Sequence, residues 1–506
     1  METTQVRNPR RWLILVVLCL STLVLVIDNM VLTVAIPPLA ADLGAGAQDI
    51  QWILDSYILV FAGLLLTSGS LSDRFGRRRI MVIGLVLFGV ASLAAAFAAD
   101  AAQLIAARTA MGVGGALIMP STLSILITVF DEEERRKAMG AWSAVAMLGL
   151  IGGPILGGAL ITWFWWGAVF LINVPVAVLA IIAALALMPE SKGPWSKPDP
   201  LGVVLSVVGM TALVWTIIEL PHGLSRPGLA VTVVALAAFV VWELRTPYPM
   251  VPLRLFRDRT FSGASLSLTL VQVGNGGLLL VLTQYLQYVL GYTPTQAGLA
   301  FIPMFVSSLV FNGLGATLGA KIGNRAMVVT GLAVMAAGFG LLTTLSQDTG
   351  FTTAAVALAV LGAGGGLAMP AAIAALMGTI PAEHAGVGSA LNDTIQQAGA
   401  ALGVAVLGSI LSGAYAGAIP AGAPEAARSS IGDALALGDG GIARAAREAF
   451  TAAMSSAFTI CASGVLAATL LAFLVMRGGK PGAAQSGTAQ PGTATEQGQP
   501  STAATS

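Results

Sequence analysis

Gly112-Val-Gly-Gly-Ala-Leu-Ile-Met-Pro120 returns 250 residues later as Gly362-Ala-Gly-Gly-Gly-Leu-Ala-Met-Pro370. At the same offset Gly149, Gly153 and Gly158 meet Gly399, Gly403 and Gly408. Three residues out of that register, Arg74-Phe-Gly-Arg-Arg78 meets Lys321-Ile-Gly-Asn-Arg325. Chance supplies one glycine-rich match. Two at one offset with a third beside them mean a chain of two related halves. The copies sit in apolar sequence: of 506 residues, 56% are hydrophobic and 10% charged, with a mean hydropathy of +0.85. A soluble globule carries about 25% charged residues, so the fold class is an all-α polytopic membrane protein.

A spanning helix takes about 20 apolar residues, and fourteen stretches qualify, among them 12–38, 138–161 and 200–220. Spans 1–6 repeat as 9–14 and two are inserted between, a 6+2+6 plan of parallel halves, which is a transporter architecture. Residues 1–11 form a cytoplasmic N-terminus and 12–188 the first six-helix bundle. Two inserted helices with their linkers take up 189–259. The second bundle covers 260–476, with an external loop at 418–448, and 477–506 is a disordered cytoplasmic tail. Twenty of the 25 basic residues fall in segments on one side, which places both termini in the cytoplasm. Within the external loop, 426–450 reads as an amphipathic surface helix. Cys19 and Cys461 lie in apolar runs and His222 and His384 in separate loops, and no phosphate-binding loop occurs. An enzyme, a metal, a cofactor and a nucleic-acid partner are therefore not expected.

Chemistry concentrates on the few charges inside spans. Asp28 is the one charge between Trp12 and Pro38. A bare carboxylate in mid-bilayer costs roughly 2.5–3.5 kcal/mol on insertion scales, so Asp28 is expected inside the bundle, where it can bind and release a proton. Asp55 lies about five residues from the external end of span 2 and is paired with Asp28 in this reading, along the wall of an outward-facing cavity; the alternative is an interfacial helix cap. Arg108 is the one basic residue inside a span, as a proton-coupling partner or as a structural partner of Asp100. Asp393, near the cytoplasmic start of span 13, is a low-dielectric inner site, grouped with Asp28, Asp55 and Asn275 among the residues expected to bind substrate, or a cap. Asn275 is a polar residue midway along span 9, and Tyr57, Phe61, Trp142 and Tyr285 offer π faces to a cation.

Gly69-Ser-Leu-Ser-Asp73-Arg74-Phe-Gly76-Arg77-Arg78-Arg79 carries an acid, two glycines and a spacing that inside-positive bias alone does not supply. It resembles the signature loop of the major facilitator superfamily. The resemblance implies that Asp73, Arg74 and Arg77, with Gly69 and Gly76, belong to a cytoplasmic latch between the halves. The second copy has Ala320 where Asp73 sits. Arg108 before Gly112-Val-Gly114 resembles the family's helix-4 motif, whose Arg is linked to proton transfer. Gly149-Leu-Ile-Gly152-Gly153-Pro154-Ile-Leu-Gly157-Gly158 resembles the motif that marks antiporters, with small residues for close helix approach and a Pro that kinks.

Fourteen spans, these motifs and Trp165-Trp-Gly-Ala-Val-Phe170-Leu-Ile-Asn173-Val-Pro175 make residues 12–476 similar to the fourteen-helix drug:proton antiporters. That resemblance implies the major facilitator fold in a bacterial inner membrane, acting as a monomer. It implies export of lipophilic, cationic drugs by alternating access, with the proton gradient as energy source. A dedicated exporter of one antibiotic or lipid, a proton-coupled metabolite symporter and a non-transporting sensor are the competing readings.

Overall fold

The computed structural model describes residues 9–45, 47–193, 199–219, 226–247, 249, 251, 253–347, 349–420 and 423–476. The tail beyond 476, expected to be disordered, lies outside the described residues, as do Arg7, Lys197 and Lys480 of the basic segments.

Apolar runs of this length can satisfy their backbone in a bilayer only as helices or closed barrels, and no strand occurs among the described residues. The long helices are α1 Arg11–Leu43, α2 Ala47–Phe75, α3 Arg77–Ala96, α4 Ala101–Val129, α5 Glu132–Trp163, α6 Asn173–Leu187, α7 Pro200–Glu219 and α8 Arg226–Arg245. After a 3₁₀ turn follow α9 Arg259–Gln284, α10 Ile302–Ile322, α11 Asn324–Leu342, α12 Phe351–Gly378, α13 Ala385–Ala418 and α14 Gly440–Val475. Their starts carry the expected acids. Asp100, Asp131 and Asp258 accept from Gln103, Glu134 and Phe261 N–H, and Asp439 from Gly441 and Ile442 N–H; each such cap is worth about 1 kcal/mol.

Twelve stretches among the described residues are long and apolar enough to cross a membrane. The two further stretches read as spans, 138–161 and 200–220, are helical over their described residues, in α5 and α7, but lie outside that set. The apolar part of α7, Pro200–Thr216, is slightly shorter than the others, and several side chains of α5 between 147 and 155 lie outside the described ones. The external segment also differs from expectation. In place of one surface helix over 426–450 there are two short turns, Glu425–Ser429 and Ile431–Ala436, and α14 then starts at Gly440. Gly438 at φ +71° ends the second turn, since a left-handed residue terminates a helix.

The repeat is visible in the packing. Gly112 of α4 lies against the Tyr57 backbone of α2, and Gly362 of α12 against the Met304 backbone of α10. Gly114 lies against α3 at Phe88, and Gly364 against α11 at Met335. Gly149 and Gly153 bring α5 onto α1, as Gly399 and Gly403 bring α13 onto α9. Gly76 and Gly323 precede α3 and α11 with φ of +117° and +92°, values that glycine adopts without strain. Arg78 donates to the Met188 carbonyl at the end of α6 (2.9 Å), and Arg325 to the Phe473 carbonyl near the end of α14. A cation at a helix C-terminus offsets the negative end of the helix dipole. Helices α7 and α8 pack on each other, and α7 lies against α2 and α13, with Thr67 and Ser206 hydroxyls 3.4 Å apart.

Candidate functional site

Asp28 and Arg108 meet inside the first half. Arg108 Nη1 donates to Asp28 Oδ2 at 2.6 Å, and the two side chains are each 1% exposed. The other carboxylate oxygen, Oδ1, accepts from Asn173 Nδ2 at 2.8 Å, which also approaches Ser92 Oγ at 3.3 Å. Arg108 Nε donates to the Ile53 carbonyl at 3.2 Å, and its guanidinium carbon lies 4.4 Å from the Tyr57 ring centre. Five helices, α1, α2, α3, α4 and α6, thus converge on one ion pair. Charge neutrality and hydrogen bonds to both carboxylate oxygens make a buried pair tolerable, though the Asn173 amide oxygen beside it is buried without a partner. Asp100, the alternative partner for Arg108, is occupied as the α4 cap and bonds Gln103.

Local sequence explains each placement. Asn173 stands at the first position of α6, just after a break at Ile172 that follows the short helix Ala168–Leu171. Pro175 two residues on has no N–H for the Leu171 carbonyl, so the chain cannot run through as one helix. The glycines of α5 press α1 close around Asp28. A Cβ at Gly149 would meet Val26 at 2.9 Å, one at Gly153 would overlap Met30, and one at Gly157 would meet Val31 at 3.0 Å. Gly158 has nothing within 4 Å of such a Cβ, so the close face runs through 149, 153 and 157 alone. Pro154 falls within α5; its side chain lies outside the described ones. Trp142 is buried, with its N–H donating to Thr22 Oγ1 at 2.7 Å, and this also ties α5 to α1.

At the end of the bundle that carries the arginines, Asp73 joins the halves. Its Oδ1 accepts from Arg77 Nε (2.9 Å) and Nη2 (2.8 Å) and from Gly386 N–H (2.9 Å); Oδ2 accepts from Val387 N–H (3.0 Å). Gly386 and Val387 are the second and third residues of α13, whose own cap position, His384, supplies no side-chain bond. Asp73 therefore caps α13 in trans, from the opposite half. Arg77 Nη2 continues across to the Glu383 carbonyl at 3.1 Å. Gly69 is needed for this approach, because a Cβ there would meet Ala390 Cβ and the Gly386 carbonyl at 2.5 Å. Gly76 is needed in turn by Glu190, whose carboxylate lies 2.7 Å from where a Cβ would be and accepts from Arg78 and Arg79 N–H. Arg74 lies over the Phe75 ring, 5.0 Å from its centre, and Arg77 is the arginine that spans the halves.

The remaining expected residues divide by exposure. Tyr57 is buried under Arg108, with Phe61 stacked on it at 5.6 Å and 11°, so the inner face of Tyr57 already holds a cation. Tyr285 is fully buried and donates to the Ser346 carbonyl at 2.9 Å, in a π-helical turn Tyr285–Val289 that ends α9. Asp55 and Asn275 are half-buried, and Asn275 approaches Gln272 Oε1 at 3.4 Å. The direct hydrogen-bond partners of Asp28 are a guanidinium and an amide. Asp393 is buried on α13 and accepts from Asn392 Nδ2 at 3.0 Å. Sequence reasoning missed the role of Asn173; the signal was a lone carboxamide in an apolar run next to a Pro.

Comparison with known proteins agrees with this geometry. The Major Facilitator Superfamily profile matches residues 18–270 and 264–498. The chain is 38% identical over 492 residues to the multidrug efflux pump LfrA of Mycolicibacterium smegmatis, covering 93% of this chain and 97% of that one. It is 36% identical over 478 residues to the methyl viologen resistance protein SmvA of Salmonella typhimurium, covering 90% and 96%. The puromycin resistance protein pur8 of Streptomyces alboniger is 36% identical over 420 residues, covering 81% and 83%. Among solved structures, the human organic anion transporter MFSD10 superposes with a TM-score of 0.62 at 15% identity, covering 92% of this chain and 100% of that one. The proton:xylose symporter XylE gives 0.61 at 14%, covering 92% and 96%.

Proposed function

The chain belongs to the Major Facilitator Superfamily, a family of membrane transporters, and we propose that it is a proton-coupled antiporter that exports lipophilic cationic drugs across a bacterial inner membrane. The bundles are residues 12–188 and 260–476, α5 and α7 complete fourteen spans, and both termini lie in the cytoplasm with the Arg77 end. The reading rests on one observation above the rest: a carboxylate, Asp28, buried at 2% exposure and held by Arg108 where α5 packs on α1 through glycines. Relatives named for multidrug efflux and methyl viologen resistance support a cationic substrate, methyl viologen being a dication.

Three cations compete for Asp28. In the latched state described above, Arg108 holds it. A proton arriving from the outer side neutralises the carboxylate and frees the guanidinium, which keeps the Ile53 carbonyl and the Tyr57 face. A drug cation approaching from the cytoplasm does the reverse, favouring the ionised acid and expelling the proton. Proton and drug thus exclude each other at one group, which is sufficient for exchange. Each net charge carried through contributes about 2.3 kcal/mol per 100 mV. Asp55 and Asn275, half-buried, supply further polar contacts to the drug. Protons and the drug are its ligands, no cofactor is required, and the working unit is the monomer.

The test is efflux of ethidium and of methyl viologen from cells, with and without an uncoupler, for the wild type and Asp28→Asn. The expected result is uncoupler-sensitive efflux that Asp28→Asn abolishes. Efflux that persists without a gradient sinks the antiport reading. A dedicated single-antibiotic exporter, which the puromycin relative favours, is separated by whether puromycin alone, and neither cation, is moved.

A further inference from the structure

We propose that Asp393 is a second proton-carrying group, kept dry by the Asp73 latch and opened to the cytoplasm when α2 and α13 part. The proposal rests on the antiport reading above and gives a second proton its own carrier in the opposite half from Asp28.

Gly386, Ala390, Asp393, Gln397 and Val404 fall at helical spacings of four, three, four and seven along α13, so they share one face. At the latch end this face meets α2: Gly386 N–H binds Asp73, and Ala390 lies on Gly69. At the far end it is open, with Gln397 exposed and Val404 40% exposed. Asp393, 4% exposed, stands between. It is about 10 Å along the axis from Gly386, at 1.5 Å per residue, and one turn from the open part. It is the buried acid on the boundary between the sealed and the open stretches of that face.

Its bonding is unlike that of Asp28. Oδ1 takes one neutral amide, from Asn392, while Oδ2, the Asn392 carbonyl oxygen, Ser389 Oγ and Thr394 Oγ1 are buried without a hydrogen-bond partner. Charged groups on the elements packed against α13 are few. Helix α12 has none. Helix α9 has Arg259 at its cytoplasmic start, and α7 has Glu219 at its far end. Helix α4 has Arg108, committed to Asp28. Helix α14 has Arg444, Arg447 and Glu448 near its external start. Helix α2 has Asp49 and Asp55 toward one end and Asp73 and Arg74 at the other. The short turn before α13 has Glu383 and His384, within 3.9 Å of each other, and the short helix Glu425–Ser429 after it has Glu425 and Arg428. The hydrogen bonds and ion pairs of these groups given above lead to partners other than Asp393. A buried carboxylate with no cation beside it is suited to binding a proton, and the unpartnered oxygens around it can accept a hydrogen bond from the protonated acid. The proton reaches the Asp393 carboxylate from the side of the exposed Gln397. When Asp73 lets go of α13, the same face is wetted from the cytoplasm and the proton leaves to water there. Asp28, whose charge Arg108 balances, does not need to deliver it.

The test uses purified full-length protein in proteoliposomes, with ethidium as probe. Asp393→Asn is expected to lose gradient-driven ethidium transport at least tenfold while keeping ethidium affinity and ethidium–ethidium exchange, and Asp393→Glu is expected to restore part of the driven transport. Gradient-driven transport by Asp393→Asn at the wild-type rate overturns the proposal, and so does loss of ethidium affinity, which would make Asp393 a drug ligand. If the wild type itself ignores the gradient, the antiport reading has failed, a separate result. The gating half is read with Asp393→Cys in a Cys19→Ala/Cys461→Ala background. Labelling by a membrane-impermeant maleimide from the Arg77 side is expected to rise at least tenfold when Asp73→Asn is added. Equal labelling with Asp73 intact overturns the gating.

Discussion

Replacing Asp28 by Asn strands the Arg108 guanidinium in the bundle, and the size of that effect follows from the geometry. The pair is 2.6 Å apart with both side chains 1% exposed. At an effective dielectric of ~20 the gross attraction is about 6 kcal/mol. Desolvation offsets much of it, and breaking such a pair from one side costs about 3–5 kcal/mol. Asp28→Asn is expected toward the lower end of that range, because Arg108 loses its balancing charge and keeps only neutral acceptors, the Ile53 carbonyl and the new amide oxygen, with the Tyr57 ring. Arg108→Gln is expected to cost less, because Asp28 can take up a proton in place of the lost cation. The double variant Asp28→Asn/Arg108→Gln buries two neutral amides and should be more stable than Asp28→Asn alone, with a coupling of about 2 kcal/mol or more. Unfolding in SDS–detergent mixtures, followed by tryptophan fluorescence, gives the three differences. Additivity within about 0.5 kcal/mol would show that the two side chains do not act as a pair.

Asn173→Ala removes the partner of Asp28 Oδ1 and should cost about 1–3 kcal/mol with a fall in driven transport; unchanged stability would mean that water replaces the amide. Gly153→Val forces α5 off Met30 of α1 and should cost about 1–3 kcal/mol and most transport, whereas Gly158→Ala, where a Cβ meets nothing within 4 Å, should leave both near wild type. Equal effects at the two sites would refute the one-sided glycine face. Asp73→Asn weakens bonds to Arg77 and to the start of α13, each charge-assisted one worth about 1.5–3 kcal/mol. Spin labels on α2 and α13 at the Arg77 end should move from one short distance to a mixture dominated by a longer one.

Much of the site was legible because a membrane leaves few charges to choose from. Asp28 and Arg108 stood out as the lone acid and lone base of their spans. That they touch could not be read, since which helices cross at which depth is a tertiary fact. The aromatics misled for the same reason. Trp142 and Tyr285 were read as π faces alone, and their polar ends turn out to bond Thr22 and the Ser346 carbonyl. In the latch the i,i+4 spacing of Asp73 and Arg77 was in view, but the second partner, the start of α13, lies more than 300 residues away. The repeat carried furthest: helix pairs matched at one offset are packed alike in space, and so, three residues out of that register, are Arg78 and Arg325 at the ends of α6 and α14. The external segment was misread because Gly438 and Ser430 end turns that a smooth amphipathic pattern hides.

The central claim is that one carboxylate exchanges a proton for a drug cation. Its most direct test is purified protein in sealed proteoliposomes, with an imposed pH gradient and ethidium fluorescence as readout, comparing wild type with Asp28→Asn. The account predicts gradient-dependent ethidium movement in the wild type, proton counterflow when ethidium is driven instead, and neither in Asp28→Asn. Ethidium movement at the wild-type rate in Asp28→Asn, or movement in the wild type that is indifferent to the gradient, would contradict it.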